Sequence, residues 1–341
     1  MPCPQQVEAQ PDVSVQELVA VKGSFSRPLH AYENDGFHTS PAEQPPPPDA
    51  FPWAKSRLRR EIIKFYIPKT RQQLDPIGHR MKTKYESVFE AVVPQRTYII
   101  LRIDGRAFHY YTRSSVKPFD CGIAAAMDEG ALSICAEMMG CRFAYGQSDE
   151  YSFLATDFET YQSEPWFGGN IQKIASVSAS IFTAAFNSAR LKQQNNQGKE
   201  TDWAHVKRLA SATFDARVFI IPSRTEVENY FIWRQQDAAR NSLNMLVSCH
   251  YLHKELLNAS NSDRHELLHK FGINWNECPT DQKRGRVVLR RERSRQVTYI
   301  HKKTKESVTE DVVETFWDLE REIPIFTQDR TYLDRLIPIQ E

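Results

Sequence analysis

Three acidic residues stand where short apolar runs end, and carboxylates at such places could bind metal ions. Asp104 follows the β-rich run 97–103, and Asp149 and Glu150 follow the run 141–145. Carboxylates gathered at one sheet edge repel each other unless protons or cations bridge them. Magnesium binds oxygens from one or two carboxylates and from substrate phosphates, and two such ions roughly 4 Å apart would activate a 3′-hydroxyl and stabilise departing pyrophosphate. The alternative is that Asp-Gly and Ser-Asp-Glu are simply turn sequences.

A glycine and several cations nearby would complete such a site. Gly105 has no side chain, so its backbone carbonyl could approach a metal. Arg102, His109, Lys117 and Lys173 lie close in sequence to the acidic residues or open a predicted helix. Cations of this kind could bind triphosphate oxygens and neutralise the charge that develops during transfer. Taken singly, each is more often a solvated surface residue, and His109 fits a hydrogen-bonded structural role equally well.

The elements that must position these residues follow the order strand, helix, strand, strand, helix, strand. The predicted strands are 97–103, 141–145, 151–154 and 214–222, and the predicted helices between them are 123–139 and 170–190. This order is that of the split ferredoxin-like unit, so we predict an α+β fold with a βαββαβ core. A further helix is predicted over 79–92, where apolar residues recur at helical spacing.

Composition divides the 341-residue chain into three parts. Twelve of the 19 prolines fall within residues 1–80. Residues 1–78 are therefore expected to form a disordered N-terminal extension. The catalytic core is expected over 79–250, and a C-terminal extension with a basic, RNA-contacting stretch over 251–341.

Charge, hydropathy and cysteine spacing exclude several classes of protein. The formal net charge is +1, so a signal for nucleic acid must be local. No apolar run approaches the roughly 18 residues of a membrane helix, and the chain does not start like a secretory signal. The six cysteines lack CxxC or CxxH spacing, which argues against a zinc module or a disulfide scaffold. We therefore expect a cytoplasmic protein with no membrane partner.

One predicted helix could contact RNA. The segment 230–241 mixes aromatic, basic and amide groups, of which Arg234, Arg240 and Asn241 are candidates for RNA contacts. The alternative is an amphipathic helix with Trp233 in the core and the polar residues that follow it on the surface.

A basic stretch could provide a second RNA contact. Residues 281–306 carry ten Lys or Arg against three acids, so their net charge is 10 − 3 = +7. In a chain of net charge +1, this clustering suggests a polyanion footprint that includes Arg290, Arg291 and Arg293. Charge runs are, however, common on solvated faces.

Six segments resemble, in the right order, the motifs of the tRNA-His guanylyltransferase family, and the likeness extends from about residue 79 to residue 335. They are Arg102–His109 (RIDGRAFH), Lys117–Asp120 (KPFD), Tyr145–Phe153 (YGQSDEYSF), Trp166-Phe167 with Lys173 (WF-x5-K), Phe214–Val218 (FDARV) and Trp233–Asp237 (WRQQD).

The resemblance implies a polymerase-like palm that adds nucleotides to the 5′ end of tRNA or a similar structured RNA. In this family a 5′-monophosphorylated RNA is activated with ATP or GTP, and the 3′-hydroxyl of an incoming nucleoside triphosphate then attacks the activated end. The resemblance also implies a homotetramer and two Mg²⁺ ions held by Asp104, Asp149 and the Gly105 carbonyl. The predicted catalytic residues are Asp104, Asp149 and Glu150, which belongs to the same acidic turn as Asp149. The implied nucleotide-binding residues are Arg102, His109, Lys117, Ser148 and Lys173.

One departure from the family pattern bears on the RNA substrate. The guanylyltransferase proper carries HINxLYN after WRQxD, whereas Ala239 here replaces the His and Asn244 replaces the Tyr. The segment is similar to that of guanylyltransferase-like proteins, which repair truncated RNA 5′ ends against a template. We therefore predict template-dependent 5′-end repair, with tRNA-His guanylylation as the alternative.

Two other classes are weighed against this prediction. A nucleotide cyclase would use a similar pair of metals, but WRQxD and the basic stretch favour a polymeric substrate. A non-catalytic RNA-binding protein on a palm fold has no reason to keep Asp104 and Asp149 together.

Overall fold

The structure is a computed structural model that describes residues 75–195, 208–300 and 307–340. Most of the predicted N-terminal extension, residues 1–74, therefore lies outside the described residues. The chain falls into two compact units, one that ends at Val88 and one that begins at Phe89.

The described part of the first unit is a short, irregular helical segment. Helix α1 (Pro76–Met81) follows Asp75, whose carboxylate accepts a hydrogen bond from the Gly78 amide at 2.8 Å. A π-helical turn (Lys82–Glu86) and a 3-10 turn (Ser87–Phe89) come next. None of these residues is buried. The helix predicted over 79–92 is therefore shorter and less regular than expected, because no packed face stabilises it.

The second unit is built on a six-stranded antiparallel sheet in the order β4-β1-β3-β2-β5-β6. The first four strands are β1 (Tyr98–Gly105), β2 (Cys141–Gln147), β3 (Glu150–Thr156) and β4 (Phe214–Ile221). With the helices between them, they confirm the predicted βαββαβ order and the α+β class. The first strand extends through Asp104 and Gly105 instead of ending before them.

Helices cover both faces of the sheet. Helices α3 (Cys121–Glu137) and α4 (Ile171–Asn195) pack on one face, where Ile99, Leu101 and Ile103 are buried. Helix α5 (Arg224–Ser248) packs on the other face, against the intervening β1 residues Tyr98 and Ile100. Successive side chains of a strand point to opposite faces of the sheet, so β1 contributes to both cores. Because both faces are buried, the sequence of β1 is a continuous apolar run.

Residues after α5 extend the same sheet. Strands β5 (Arg286–Ile300) and β6 (Ser307–Glu320) pair along their lengths, but only residues 286–289 of β5 pair with β2. The rest of the pair forms a two-stranded arm beyond the sheet, defined here as residues 290–300 and 307–317. The shorter helices of this unit are α2 (Phe108–Tyr111), α6 (Asn261–His269), α7 (Thr280–Arg284) and α8 (Arg330–Leu336).

No helix in the described ranges is both long enough and apolar enough to cross a bilayer.

Candidate active site

Carboxylates form a row across three strands at one end of the sheet. Asp104 on β1 lies opposite Glu150 on β3 and opposite Asp215 on β4. The Gly105 amide donates to the Asp149 carbonyl at 3.0 Å, so the end of β1 is joined to the turn between β2 and β3. The structure thus brings Asp104, Gly105 and Asp149 together, as the order of the strands suggested.

The β2–β3 turn holds its carboxylate in a sparsely solvated position. Ser148 has a left-handed backbone (φ 51°), and its hydroxyl donates to the Asp149 carboxylate at 3.0 Å. Burial raises the pKa of Asp149, the Ser148 hydrogen bond lowers it, and the negative charge of Asp104 raises it further. A bound cation would relieve both the burial and the repulsion.

The donor set fits magnesium better than zinc. No group of three or more His, Cys, Asp or Glu side chains within residues 75–195, 208–300 and 307–340 is arranged to hold a metal. Asp104, Asp149 and the Gly105 carbonyl remain as candidate oxygen ligands. Magnesium needs no more than this from a protein when substrate phosphates and water complete its shell.

The Glu150 carboxylate forms ion pairs with two arginines. Arg234 on α5 donates from Nη1 to both carboxylate oxygens of Glu150, each at 3.0 Å. Arg102 Nε lies 3.5 Å from the same carboxylate, and Arg102 Nη2 donates to Asp104 at 3.1 Å. Burial still raises the pKa of Glu150, although Arg234 and Arg102 lower it. Glu150 thus holds Arg234 and Arg102 in place, and its catalytic role stays a prediction.

The orientation of Arg234 and Trp233 differs from both interpretations of the α5 sequence. Arg234 is only 4% exposed, and its guanidinium lies 3.5 Å from the centre of the Trp233 ring. Trp233 is 47% exposed. Arg234 is therefore a buried partner of Glu150 instead of a surface RNA contact, because the sheet supplies a carboxylate that the helix sequence alone does not reveal.

Arg240 and Asn241 do lie on the exposed side of α5. Both donate to the Asp237 carboxylate, Arg240 at 2.9 Å and Asn241 at 3.3 Å. They are placed where an RNA could reach them.

A cavity of about 400 Å³ lies beside the acidic row. Its walls come from α2, the start of α3 and the loop between them, from the β2–β3 turn, from α5 and from residues 281–286. Among the predicted site residues, those that line it are His109, Lys117, Ser148, Asp149 and Asn241. Asp104 does not line the cavity, so Asp149 is the acidic residue that connects the row to the cavity.

The loop that carries Lys117 is anchored by Asp120. The Asp120 carboxylate accepts from the Ile123 amide at 2.9 Å, which caps α3, and from the Val116 amide at 3.3 Å. Lys117 itself makes no hydrogen bond or ion pair with any residue that the structure describes. Its ammonium is therefore available to an anionic ligand in the cavity.

Two predicted nucleotide-binding residues lie apart from the cavity lining. Arg102 belongs to the acidic row, as described above. Lys173 sits in the first turn of α4, with its ammonium 4.8 Å from the centre of the Phe167 ring. The sequence missed the wall formed by residues 281–286, because the other residues of the cavity are at least 281 − 245 = 36 positions away in the chain.

The basic stretch is partly neutralised by the strand that follows it. Arg291 lies 2.7 Å from Asp318, and Arg293 Nη2 lies 2.9 Å from Glu314. Residues 307–320 carry five acids and no Lys or Arg, so the net charge of 281–320 is +7 − 5 = +2. The prediction of +7 ignored this partner strand. Lys302, Lys303 and Lys305 lie outside the described residues.

An antiparallel palm-like sheet with a carboxylate pair beside a nucleotide-sized cavity is the arrangement of a nucleotidyltransferase. The family model described as "tRNAHis guanylyltransferase" (Thg1) matches residues 78–222. A "Probable tRNA(His) guanylyltransferase" of Dictyostelium discoideum is 30% identical over 259 residues, which cover 69% of this chain and 95% of the relative. The chain therefore belongs to the tRNA(His) guanylyltransferase (Thg1) family of nucleotidyltransferases.

Solved structures are similar over most of the chain. A bacterial Thg1-like protein in complex with ATP is 36% identical, with a TM-score of 0.62, and covers 77% of this chain and 99% of its own. A bacterial Thg1-like protein in complex with GTP is also 36% identical, with a TM-score of 0.59, and covers 78% of this chain and 100% of its own. The tRNA(His) guanylyltransferase of Saccharomyces cerevisiae is 26% identical, with a TM-score of 0.50, over 61% of this chain and 93% of its own.

Proposed function

We propose that this protein adds a guanylate to the 5′ end of a tRNA, as a tRNA(His) guanylyltransferase. The observation that carries the proposal is the position of Asp149. It is joined through Gly105 to the strand end that bears Asp104, and it lines the cavity. A nucleoside triphosphate in the cavity and an RNA 5′ end at the acidic row would therefore meet at the Asp104 and Asp149 carboxylates.

The cavity is the proposed site of the nucleoside triphosphate. Its volume of about 400 Å³ suits a small ligand, and it combines apolar walls with a few polar groups. Lys117, Ser148 and His109 are the proposed contacts with the triphosphate. The ATP and GTP complexes of the bacterial Thg1-like protein support nucleotides of both kinds as ligands.

Asp104, Asp149 and the Gly105 carbonyl are the proposed ligands of two Mg²⁺ ions. When bound, these ions would lower the pKa of an attacking hydroxyl and offset negative charge on the phosphoryl oxygens. Arg102 holds Asp104 in place through its 3.1 Å hydrogen bond, while Glu150, which is itself bound by Arg234, holds Arg102. Lys117 would offset charge on the pyrophosphate that leaves during activation.

The proposed reaction has two transfers. In the first, an oxygen of the tRNA 5′-monophosphate attacks the α-phosphorus of ATP or GTP, and pyrophosphate leaves. In the second, the 3′-hydroxyl of GTP attacks the activated 5′-phosphorus, and the nucleoside monophosphate leaves. The hydroxyl proton passes to solvent or to a nearby base.

The tRNA is proposed to lie across the exposed side of α5 and the arm. Trp233, Arg240 and Asn241 offer stacking and hydrogen bonds, and Arg290, Arg291 and Arg293 offer phosphate contacts. Homotetramer assembly and a cytoplasmic location are proposed by analogy with the family.

Templated repair of truncated RNA 5′ ends is the second candidate function. The sequence favours it, since Ala239 and Asn244 replace the His and Tyr of the segment that the guanylyltransferase proper carries. Guanylate addition is nevertheless better supported. The family and the curated relatives carry its name, and neither Ala239 nor Asn244 belongs to the cavity lining.

The test is to size the products made from a 5′-monophosphorylated tRNA that lacks its first nucleotide. Purified full-length protein receives this tRNA, Mg²⁺, ATP and one nucleoside triphosphate at a time. We expect extension with GTP and strong loss of extension in Lys117→Met. Lys192→Met, a change at an exposed lysine of α4, is the matched control. No extension with any nucleotide would overturn the proposal.

A further inference from the structure

A buried carboxylate next to the cavity holds three donors and has no part in the reaction described above. Asp128 on α3 is 3% exposed. It accepts hydrogen bonds from the Tyr151 hydroxyl at 2.7 Å, from Arg321 Nη2 at 2.8 Å and from Arg286 Nε. Four segments of the chain therefore meet at one charge: α3, β3, the start of β5 and the residue after β6.

Arg286 is the one of these donors that lines the cavity. It is 4% exposed and donates from Nη2 to the Ala124 carbonyl at 3.2 Å. A guanidinium carries five N–H donors in a fixed fork. Within the described part of the chain, no acceptor is hydrogen-bonded to its other terminal nitrogen, Nη1. Two bonds thus fix the orientation of the group and leave Nη1 without a partner among the described residues.

The charges around Arg286 keep it cationic. Burial acts to lower the pKa of Arg286, but Tyr151 and Asp128 outweigh that effect, so its pKa is raised. Asp281, the neighbouring acid on the cavity wall, forms an ion pair with Arg321, whose Nε lies 3.5 Å from its carboxylate. The wall therefore carries a fixed positive donor, and its counter-ion Asp128 does not itself line the cavity.

We propose that Arg286 donates a hydrogen bond from Nη1 to an acceptor atom of the nucleoside triphosphate in the cavity, and that Asp128 is its positioning residue. This rests on the proposed function, which places the nucleotide there. A buried guanidinium held by two hydrogen bonds loses little conformational entropy when a ligand binds, so the hydrogen bond contributes most of its free energy to affinity. The acceptor is a phosphate oxygen or an atom of the nucleoside.

The test is to measure the affinity of the full-length protein for ATP with Mg²⁺ in the absence of RNA, by calorimetry. Arg286→Gln is expected to raise the Kd by about 10- to 100-fold, the usual effect of losing a hydrogen bond from a charged group. Arg321→Gln is the matched control, because Arg321 also binds Asp128 but does not line the cavity. It is expected to change the Kd by less than about threefold.

The outcomes separate direct contact from support of the fold. Unchanged ATP affinity in Arg286→Gln, or an equal loss in Arg321→Gln, overturns the inference while the proposed function stands. If Arg286→Gln does not fold, the pair Asp128→Asn with Arg286→Met removes both charges and is held to the same expectation. Adenosine distinguishes the acceptors: a loss shared by adenosine indicates the nucleoside, and a loss confined to ATP indicates a phosphate. A wild-type protein that binds neither ATP nor GTP overturns the proposed function and this inference together.

Discussion

The Arg234 guanidinium donates to both carboxylate oxygens of Glu150 at 3.0 Å, and this pair joins α5 to the acidic row. The two residues are 84 positions apart in the chain. The pair is almost fully buried, with side-chain exposures of 5% and 10%. Arg102, held by Glu150, in turn holds Asp104. The structure thus connects the helix to a proposed metal ligand through one chain of charges.

Breaking this pair from one side should destabilise the protein strongly. Arg234→Met leaves the buried Glu150 with only the 3.5 Å contact to Arg102, and we expect the free energy of unfolding to fall by about 3–5 kcal/mol. Adding Glu150→Met should recover most of the loss, because no isolated charge remains. Denaturant unfolding of the two variants measures both values. If the double variant is no more stable than the single one, the pair does not account for the loss.

The four core strands and two of their helices were predictable from sequence, because periodicity and turn residues are local signals. The side of α5 that faces the sheet was not. Trp233 looks like a core residue and Arg234 like a surface residue, but a carboxylate on a distant strand reverses their positions. The arm was missed for a similar reason. Residues 281–306 look like a basic tract until residues 307–320 pair with them and contribute five acids.

The Asp149 carboxyl should make the metal-free protein less stable as the pH rises. Its folded-state pKa is raised above the ordinary 3.8, so its contribution to stability is fully present below 3.8 and is lost as the pH passes the folded value. We expect Asp149→Asn to have a higher Tm than the wild type at pH 7 in EDTA.

This difference should shrink as the pH approaches 3.8. Excess Mg²⁺ should also reduce it at pH 7, because only the wild type gains stability from the ion. Thermal unfolding at several pH values measures these changes. A wild type that is more stable than the variant at pH 7 in EDTA would contradict the assignment.

The arm should contribute to tRNA affinity through phosphates. Replacing Arg290, Arg291 and Arg293 together by Gln should weaken binding of unrelated tRNAs alike and reduce its salt dependence. The slope of log K against log salt should fall by up to about one for each phosphate that the variant no longer binds. Filter binding at several salt concentrations measures this change.

The acids of β6 provide the opposite change in the same arm. Glu314→Gln with Asp318→Asn removes the ion pair of Arg293 and the 2.7 Å partner of Arg291, which keeps only the 3.7 Å contact to Glu320. Binding of tRNA should therefore become tighter. Unchanged affinity in both sets of variants would mean that the arm is only a solvated face.

Guanylate addition and templated repair predict different dependence on the opposing base. Ala239 and Asn244 lie outside the cavity lining, so their side chains leave the nucleotide contacts intact. We expect GTP to be used at similar rates against each of the four bases opposite the gap of a truncated tRNA. Single-nucleotide addition measures these rates. Addition that follows base pairing, with mismatches slower by on the order of a hundredfold, would favour the repair function instead.

The central claim is that Asp104 and Asp149 together hold the metal ions for both transfers. It is tested most directly by measuring each transfer separately in Asp104→Asn and Asp149→Asn. Activation is followed with labelled ATP and a 5′-monophosphorylated tRNA, and the second transfer with a 5′-triphosphorylated tRNA that bypasses activation. We predict that both steps fall by at least about a hundredfold, as for a lost group that stabilises transition-state charge, while each variant still unfolds cooperatively. Near-normal rates of either step in either folded variant would contradict the claim.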